Sequence, residues 1–305
     1  MQARPSHSAI TSFVSSILPP KANDVQLLYH VPRHPRYNAD YARVDQIVLS
    51  VTPTLGVYDS IGYGSSALRT YAPRGEMAPR LPRTLCFLHR PFTLDRRRVR
   101  RGTLVLASHT SFDEHLTVGW NVALAAQLGV DLKTSECVQG YKGDPERKIG
   151  IVGKISMTTS SIEKLLHEQF GPFEARFVGS EEDHTRVVAI MNAFNADEVH
   201  RVLELAEQRG WISSVEEGGR HVLYLTGQPR DSGMAAAKER GLQVVCVGHR
   251  AAEDWGIRYL SQRLRQTFPG VDVKEVYEEE ISMKQKDEAT ANNMEVPTTN
   301  NNNNR

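Results

Sequence analysis

An α/β fold, with mixed or parallel sheets flanked by helices, is the class this 305-residue chain predicts. Strand-like and helix-like segments alternate along it, the pattern of layered α/β proteins. Three short runs, residues 85–88, 104–107 and 244–247, are almost wholly apolar, as strands buried on both faces are. Each run leads into a histidine: His89, His109 and His249. Ligands collect beyond the carboxyl ends of strands in open α/β sheets, so the same segments that predict the fold predict a site.

The elements follow in order. Ile10, Phe13, Val14, Ile17 and Leu18 share one helical face, and Pro19-Pro20 ends that helix. No acidic residue precedes Asp24, so this stretch also has the look of a mitochondrial presequence. A first helix of the domain is the preferred reading, with a cytoplasmic location and a mitochondrial one as the alternative. Residues 1–9 are expected to be flexible. Strands are expected at 24–30 and 46–51 around a Pro/Arg/Tyr-rich loop, and 62–83 is the weakest part of the core. The run Arg96-Arg97-Arg98-Val99-Arg100-Arg101 is expected to be a solvated loop, with phosphate attraction as the second reading. A helix is expected over 114–128, stopped by Gly129. Further helices are expected over 160–169, 196–209, 232–240 and 251–267. Strands are expected at 173–178, 185–190, 221–225 and 271–276. From residue 282 the chain turns to Lys, Glu, Thr and Asn, a composition that cannot bury enough apolar surface to order itself.

Composition excludes several classes. The net charge is +1, which supplies no general attraction to nucleic acid or to an anionic membrane. No apolar stretch approaches the roughly 18 residues of a membrane span. Cys86, Cys137 and Cys246 are odd in number and form no CxxC pair, as in a reduced intracellular protein. Gly62-Tyr63-Gly64 lacks the third glycine of a dinucleotide loop, and neither a Walker A loop nor a GxSxG elbow occurs.

What remains is a metal site. His249 and Glu253 stand four residues apart at the start of a long helix, on one face. His109-Thr110-Ser111-Phe112-Asp113 places a second imidazole and carboxylate at another strand end, with helix capping by Asp113 as the alternative. Imidazole with carboxylate suits Zn, Mn, Fe or Ni better than Ca or Mg.

Together these segments resemble the type-2-like GTP cyclohydrolase I family, also called Nif-three-like. The family's His-His-Pro, His-Thr-x-x-Asp and Gly-His-x-x-x-Glu motifs correspond to His89-Arg90-Pro91, His109-Thr110-Ser111-Phe112-Asp113 and Gly248-His249-Arg250-Ala251-Ala252-Glu253. Gly119-Trp120-Asn121, Gly150-Ile151-Val152-Gly153 and Thr226-Gly227-Gln228 add to the likeness, with Gln228 where the family has Glu.

The resemblance implies a two-lobed fold over residues 10–281, with a switch near 130 and a metal site between the lobes. It implies His89, Asp113, His249 and Glu253 as ligands, His109 as candidate general base, and assembly as a homohexamer. One departure stands out. Arg90 replaces the second histidine of His-His-Pro, and a guanidinium has no lone pair to give a metal. Arg90 is therefore expected to contact an anion, to turn away, or to pair with Asp113 or Glu253, and one divalent ion per chain is expected rather than two. His115 is the candidate substitute ligand. The function implied is a metal-dependent hydrolase acting on a nucleotide-like or phosphorylated small molecule. The alternative is a non-catalytic metal-binding oligomer that regulates through protein partners.

Overall fold

The computed structural model describes residues 4–63, 81–178 and 184–279. The polar tail expected from 282, and residues 64–80 of the stretch read as weak core, lie outside the described residues.

Two sheets carry the fold. The first holds β1 (Leu28–His30), β2 (Gln46–Ser50), β3 (Thr84–Leu88), β4 (Leu104–Ala107) and β11 (Asp272–Val276), in the order β1-β4-β3-β2-β11. All neighbours are parallel except β1 with β4. The second holds β5 (Glu136–Tyr141), β6 (Asp144–Thr158), β7 (Ala175–Phe177), β8 (His184–Met191), β9 (Val222–Thr226) and β10 (Gln243–Cys246), ordered β5-β6-β8-β9-β10-β7. Its centre, β8-β9-β10, is parallel and its flanks are antiparallel. The fold is therefore mixed α/β with helices on the sheet faces, as the sequence predicts. Every residue of β3, β4, β9 and β10 is buried, which is why these strands read as unbroken apolar runs.

The helices are α1 (His7–Ile17), α2 (Leu55–Ile61), α3 (Thr110–Leu116), α4 (Val122–Gln127), α5 (Thr159–Phe170), α6 (Ala196–Gln208), α7 (Asp231–Glu239) and α8 (His249–Thr267). Each sheet is covered on both faces, giving four apolar clusters. Helix α8 belongs to two of them. Ile257, Leu260 and Leu264 pack on the first sheet beside α1 and α3, while Ala252 and Trp255 pack with residues of the second. A helix buried on two faces between sheets can carry one end to where both meet. Gly256 makes that packing close: a Cβ there would lie 2.6 Å from the Leu116 carbonyl oxygen and from the Phe112 ring. The near-contact of α8 with α3 brings Glu253 and Asp113 toward one histidine.

Several elements differ from expectation. The single helix expected over 114–128 is two, broken between Thr117 and Asn121. Gly119 sits so near the Asp113 and Glu114 carbonyls that its Cβ would fall 2.8 and 2.9 Å from them, and Asn121 recaps the chain by accepting from the Leu124 N–H. The strand expected at 24–30 is only Leu28–His30, because Asp24 is used as a cap elsewhere. Helix α1 starts at His7, inside the segment expected to be flexible, with Ser6 accepting from the Ala9 N–H. Helix α2 and the β5–β6 hairpin were not expected from the sequence.

Candidate metal centre

The centre lies where β3, α3 and α8 deliver side chains to one point. His89 follows β3 directly and is fully buried. Its Nδ1 stands 3.1 Å from the Ser108 carbonyl oxygen, which can only accept, so Nδ1 carries a proton and Nε2 faces the site. The ring also stacks on Phe112, 4.4 Å between centroids. Nε2 lies 3.3 Å from Asp113 Oδ1 and 3.2 Å from Glu253 Oε1. Glu253 Oε1 is also 3.2 Å from His249 Nε2, and Glu253 Oε2 takes a bond from Arg90 Nη2 at 3.3 Å. His109 Nδ1 is 3.9 Å from Asp113 Oδ2.

Helix α3 is aimed by a residue that sequence reading placed in a strand. Asp24 accepts from the His109, Thr110 and Ser111 backbone N–H groups at 2.9–3.0 Å. Burial raises its pKa, but those bonds outweigh burial and hold its carboxyl below the usual value. Asp113 is inside the helix and not its cap, so the capping alternative for Asp113 fails. Turn composition at Lys21-Ala22-Asn23-Asp24, just before an apolar stretch, was the signal available for Asp24.

The electrostatics describe a site balanced by a cation. Burial pulls the His89 imidazolium down, yet Asp113 and Glu253 outweigh it and raise its pKa to about 9. The Glu253 carboxyl is pushed up by burial and pulled further down by His249 and His89, for a net lowering. The adjacent Glu253 carboxylate raises the pKa of His249, against burial. His109 is lowered, by burial first and then by the His89 charge, against the pull of Asp113.

Three of these buried atoms, His89 Nε2, His109 Nδ1 and Glu253 Oε1, have no partner at hydrogen-bond geometry despite their proximity. Metal–ligand bonds of about 2.0–2.2 Å place neighbouring donors roughly 3–3.5 Å apart, as His89 is from Asp113 and from Glu253 here. Donor atoms of His89, His109 and Asp113 all lie within 4.8 Å of one another, the one such His/Cys/Asp/Glu group among the described residues. The donor set fits a divalent transition ion, whose binding would displace the proton from His89.

The chain is similar to several known proteins. The model of the Duf34/NIF3 (NGG1p interacting factor 3) family matches residues 95–205, which contain His109 and Asp113. A GTP cyclohydrolase 1 type 2 homolog of Archaeoglobus fulgidus is 26% identical over 168 residues, 55% of this chain and 59% of that protein. A Pseudomonas aeruginosa protein of the same description is also 26% identical, over 58% of its length. The alignments thus span under two thirds of these relatives. The fold is that of reduced HcgD from Methanocaldococcus jannaschii (TM-score 0.54, 16% identity, 90% of this chain and 99% of that one). It is also that of protein ybgI, of unknown function (TM-score 0.55, 16% identity, 89% and 97%).

Over residues 95–205 the chain is similar to the NIF3 family.

Within this centre, the expected site residues divide. His89, Asp113 and His109 form the close donor group; Glu253 adjoins His89; His249 touches Glu253 and is not in the group. His109 thus stands among the candidate ligands, where the family resemblance made it a base. Arg90 pairs with Glu253, one of the two carboxylates the sequence reading offered it. His115 is not among the close donor atoms. It is held near pKa 4 by burial and by the charges of Lys148 and Lys21.

A cleft of about 290 Å³ adjoins the centre, lined by Asp113, His249 and Glu253 and by the cations Lys142, Arg147 and Arg230. Lys142 and Arg147 come from the β5–β6 hairpin, whose turn holds Lys142 at φ +49° and Gly143 at +83°. Sequence reading missed these cations because it missed the hairpin. The Lys142-Gly143 turn pair was its signal.

Proposed function

We propose that this protein is a metal-dependent hydrolase of a nucleotide-like or phosphorylated small molecule. The observation that carries this reading is the convergence of His89, His109 and Asp113 donors beside a cleft with a cationic wall. His89, Asp113 and His109 or Glu253 would hold the ion. A divalent ion there supplies Lewis-acid chemistry, polarising the attacked group and acidifying water.

The chain's own residues do the rest. Lys142, Arg147 and Arg230 meet phosphoryl oxygens with charge-assisted hydrogen bonds. His109, neutral near pH 7 because burial lowers it, accepts a proton if it is not itself a ligand. Ser108 fixes the tautomer of His89. The same reading takes the protein as a cytoplasmic homo-oligomer, hexameric by family resemblance, with its lobes meeting near residue 130 of a 10–281 unit.

Elemental analysis of the full chain is expected to give one divalent ion per chain. Turnover of a panel of nucleotides and phosphoesters is expected to vanish in Asp113→Asn and to show a raised KM in Arg147→Gln. His109→Ala and His249→Ala separate the two ligand sets, since the close donor group requires the first to lose the ion more readily. A metal-loaded protein inert toward the whole panel would leave the second reading, a non-catalytic metal-binding oligomer. The pairing of Arg90 with Glu253 favours that reading, because it commits one carboxylate oxygen to a fixed charge.

A further inference from the structure

A second cavity, of about 730 Å³, shares no residue with the metal centre. The β1–β2 connection supplies His30, Arg33 and His34 to it, and the β3–β4 connection supplies Arg96, Arg97 and Arg101. No Asp or Glu lines it among the described residues. Its volume is that of a small-molecule site.

The basic run expected to be a solvated loop is sorted by the fold into two kinds of arginine. Arg98 lies 3.8 Å over the Tyr58 ring, and Arg100 donates to the Pro82 carbonyl and, at 3.1 Å, to Thr84 Oγ1. These two hold the loop. Arg96, Arg97 and Arg101 face the cavity instead, with Arg96 fixed 4.8 Å over Tyr29. The Arg101 N–H donates to the Tyr63 hydroxyl, which keeps that ring at the cavity wall. Burial, then the charges of Arg96 and Arg33, lower the pKa of His30. Arg33, Arg96, Arg97 and Arg101 line the cavity with no Asp or Glu among its described lining residues. The nearby Asp95 carboxylate accepts from the Arg97 backbone N–H, so the four guanidinium groups repel one another across the cavity. A multiply charged anion would offset that repulsion, through bidentate guanidinium contacts. Pro32, Pro35 and Val99 add apolar wall for an organic portion.

We propose that this cavity is a second ligand site, for a small molecule bearing a di- or triphosphate. It is independent of the reading of the metal centre. The test is calorimetric titration of the metal-free full chain, in excess chelator, with inorganic tripolyphosphate. Saturable binding of one anion per chain is expected, with slowed amide exchange in residues 30–35 and 96–102. Replacing two exposed side chains together, Arg97→Gln with Arg101→Gln, is expected to raise Kd at least tenfold. Arg147→Gln with Arg230→Gln, in the other cleft, is expected to leave Kd unchanged. Loss of binding in the second pair but not the first would overturn the proposal. So would the absence of saturable binding, or equal competition by sulfate at matched ionic strength.

Discussion

The metal centre and the basic cavity lie at opposite ends of one connection, the segment from β3 to β4, and use arginine in opposite ways. At the start of that segment, Arg90 is drawn to Glu253, a buried carboxylate on α8. Further along, Arg96, Arg97 and Arg101 face other cations. One arginine completes a charge balance inside the molecule and the others leave one open. A guanidinium is always charged, so its role is set by whether the fold places a carboxylate opposite it.

The comparison breaks most easily at the carboxylates. Asp113→Asn removes a donor of the close group while keeping its size, and is expected to weaken the bound ion by more than about 100-fold. Elemental analysis after dialysis reads the loss, and tripolyphosphate binding at the other end of the segment is expected to be unaffected.

Arg90→His sharpens the same contrast. At about 5 Å and an effective dielectric near 20, a guanidinium and a divalent ion repel by roughly 6–7 kcal/mol before Glu253 is counted. The substitution removes that charge, frees Glu253 Oε2 and adds an imidazole. The ion content is expected to rise from one to two per chain.

Asp24→Ala acts on the helix that carries Asp113. Loss of its bonds to the three backbone N–H groups that open α3 is expected to cost about 1–2 kcal/mol in chemical denaturation. The pH dependence has a definite sign. The folded pKa of Asp24 lies below its ordinary 3.8, so the folded state favours the charged form. Its stabilisation is present above pH 3.8 and is lost as pH falls through the lower folded value. The denaturation midpoint of the wild type is therefore expected to fall over that acid range more than that of Asp24→Ala.

The smallest effect belongs to the cavity. Arg97→Gln is expected to change stability by less than about 0.5 kcal/mol, in the stabilising direction, because it relieves repulsion and breaks no ion pair. A destabilisation of more than about 1 kcal/mol would show that Arg97 has a structural partner, and the contrast with Arg90 would fail.

The elements that were legible in the sequence are those whose signal is local. Buried parallel strands such as β3, β4 and β10 announce themselves as apolar runs, because both faces are covered. Helix α8 shows its length in its composition, and His249 with Glu253 share a face by the helical period alone. The break between α3 and α4 was not legible, because it depends on the backbone of residues 117–119 folding back against Asp113 and Glu114. The β5–β6 hairpin was missed because its strands mix polar and apolar residues without clean alternation.

By itself, then, the sequence determined an α/β chain with histidines at the ends of buried strands, carboxylates one turn beyond two of them, and a charged run between β3 and β4. Chain-local chemistry suffices for each of these. Only the tertiary structure decided that Asp24 caps α3, that Arg90 answers Glu253 across 163 residues, and that His30, Arg33 and His34 meet Arg96, Arg97 and Arg101. Those outcomes depend on which loops two covered sheets bring together. A charge finds its partner through space, over a few ångströms that no spacing along the chain records.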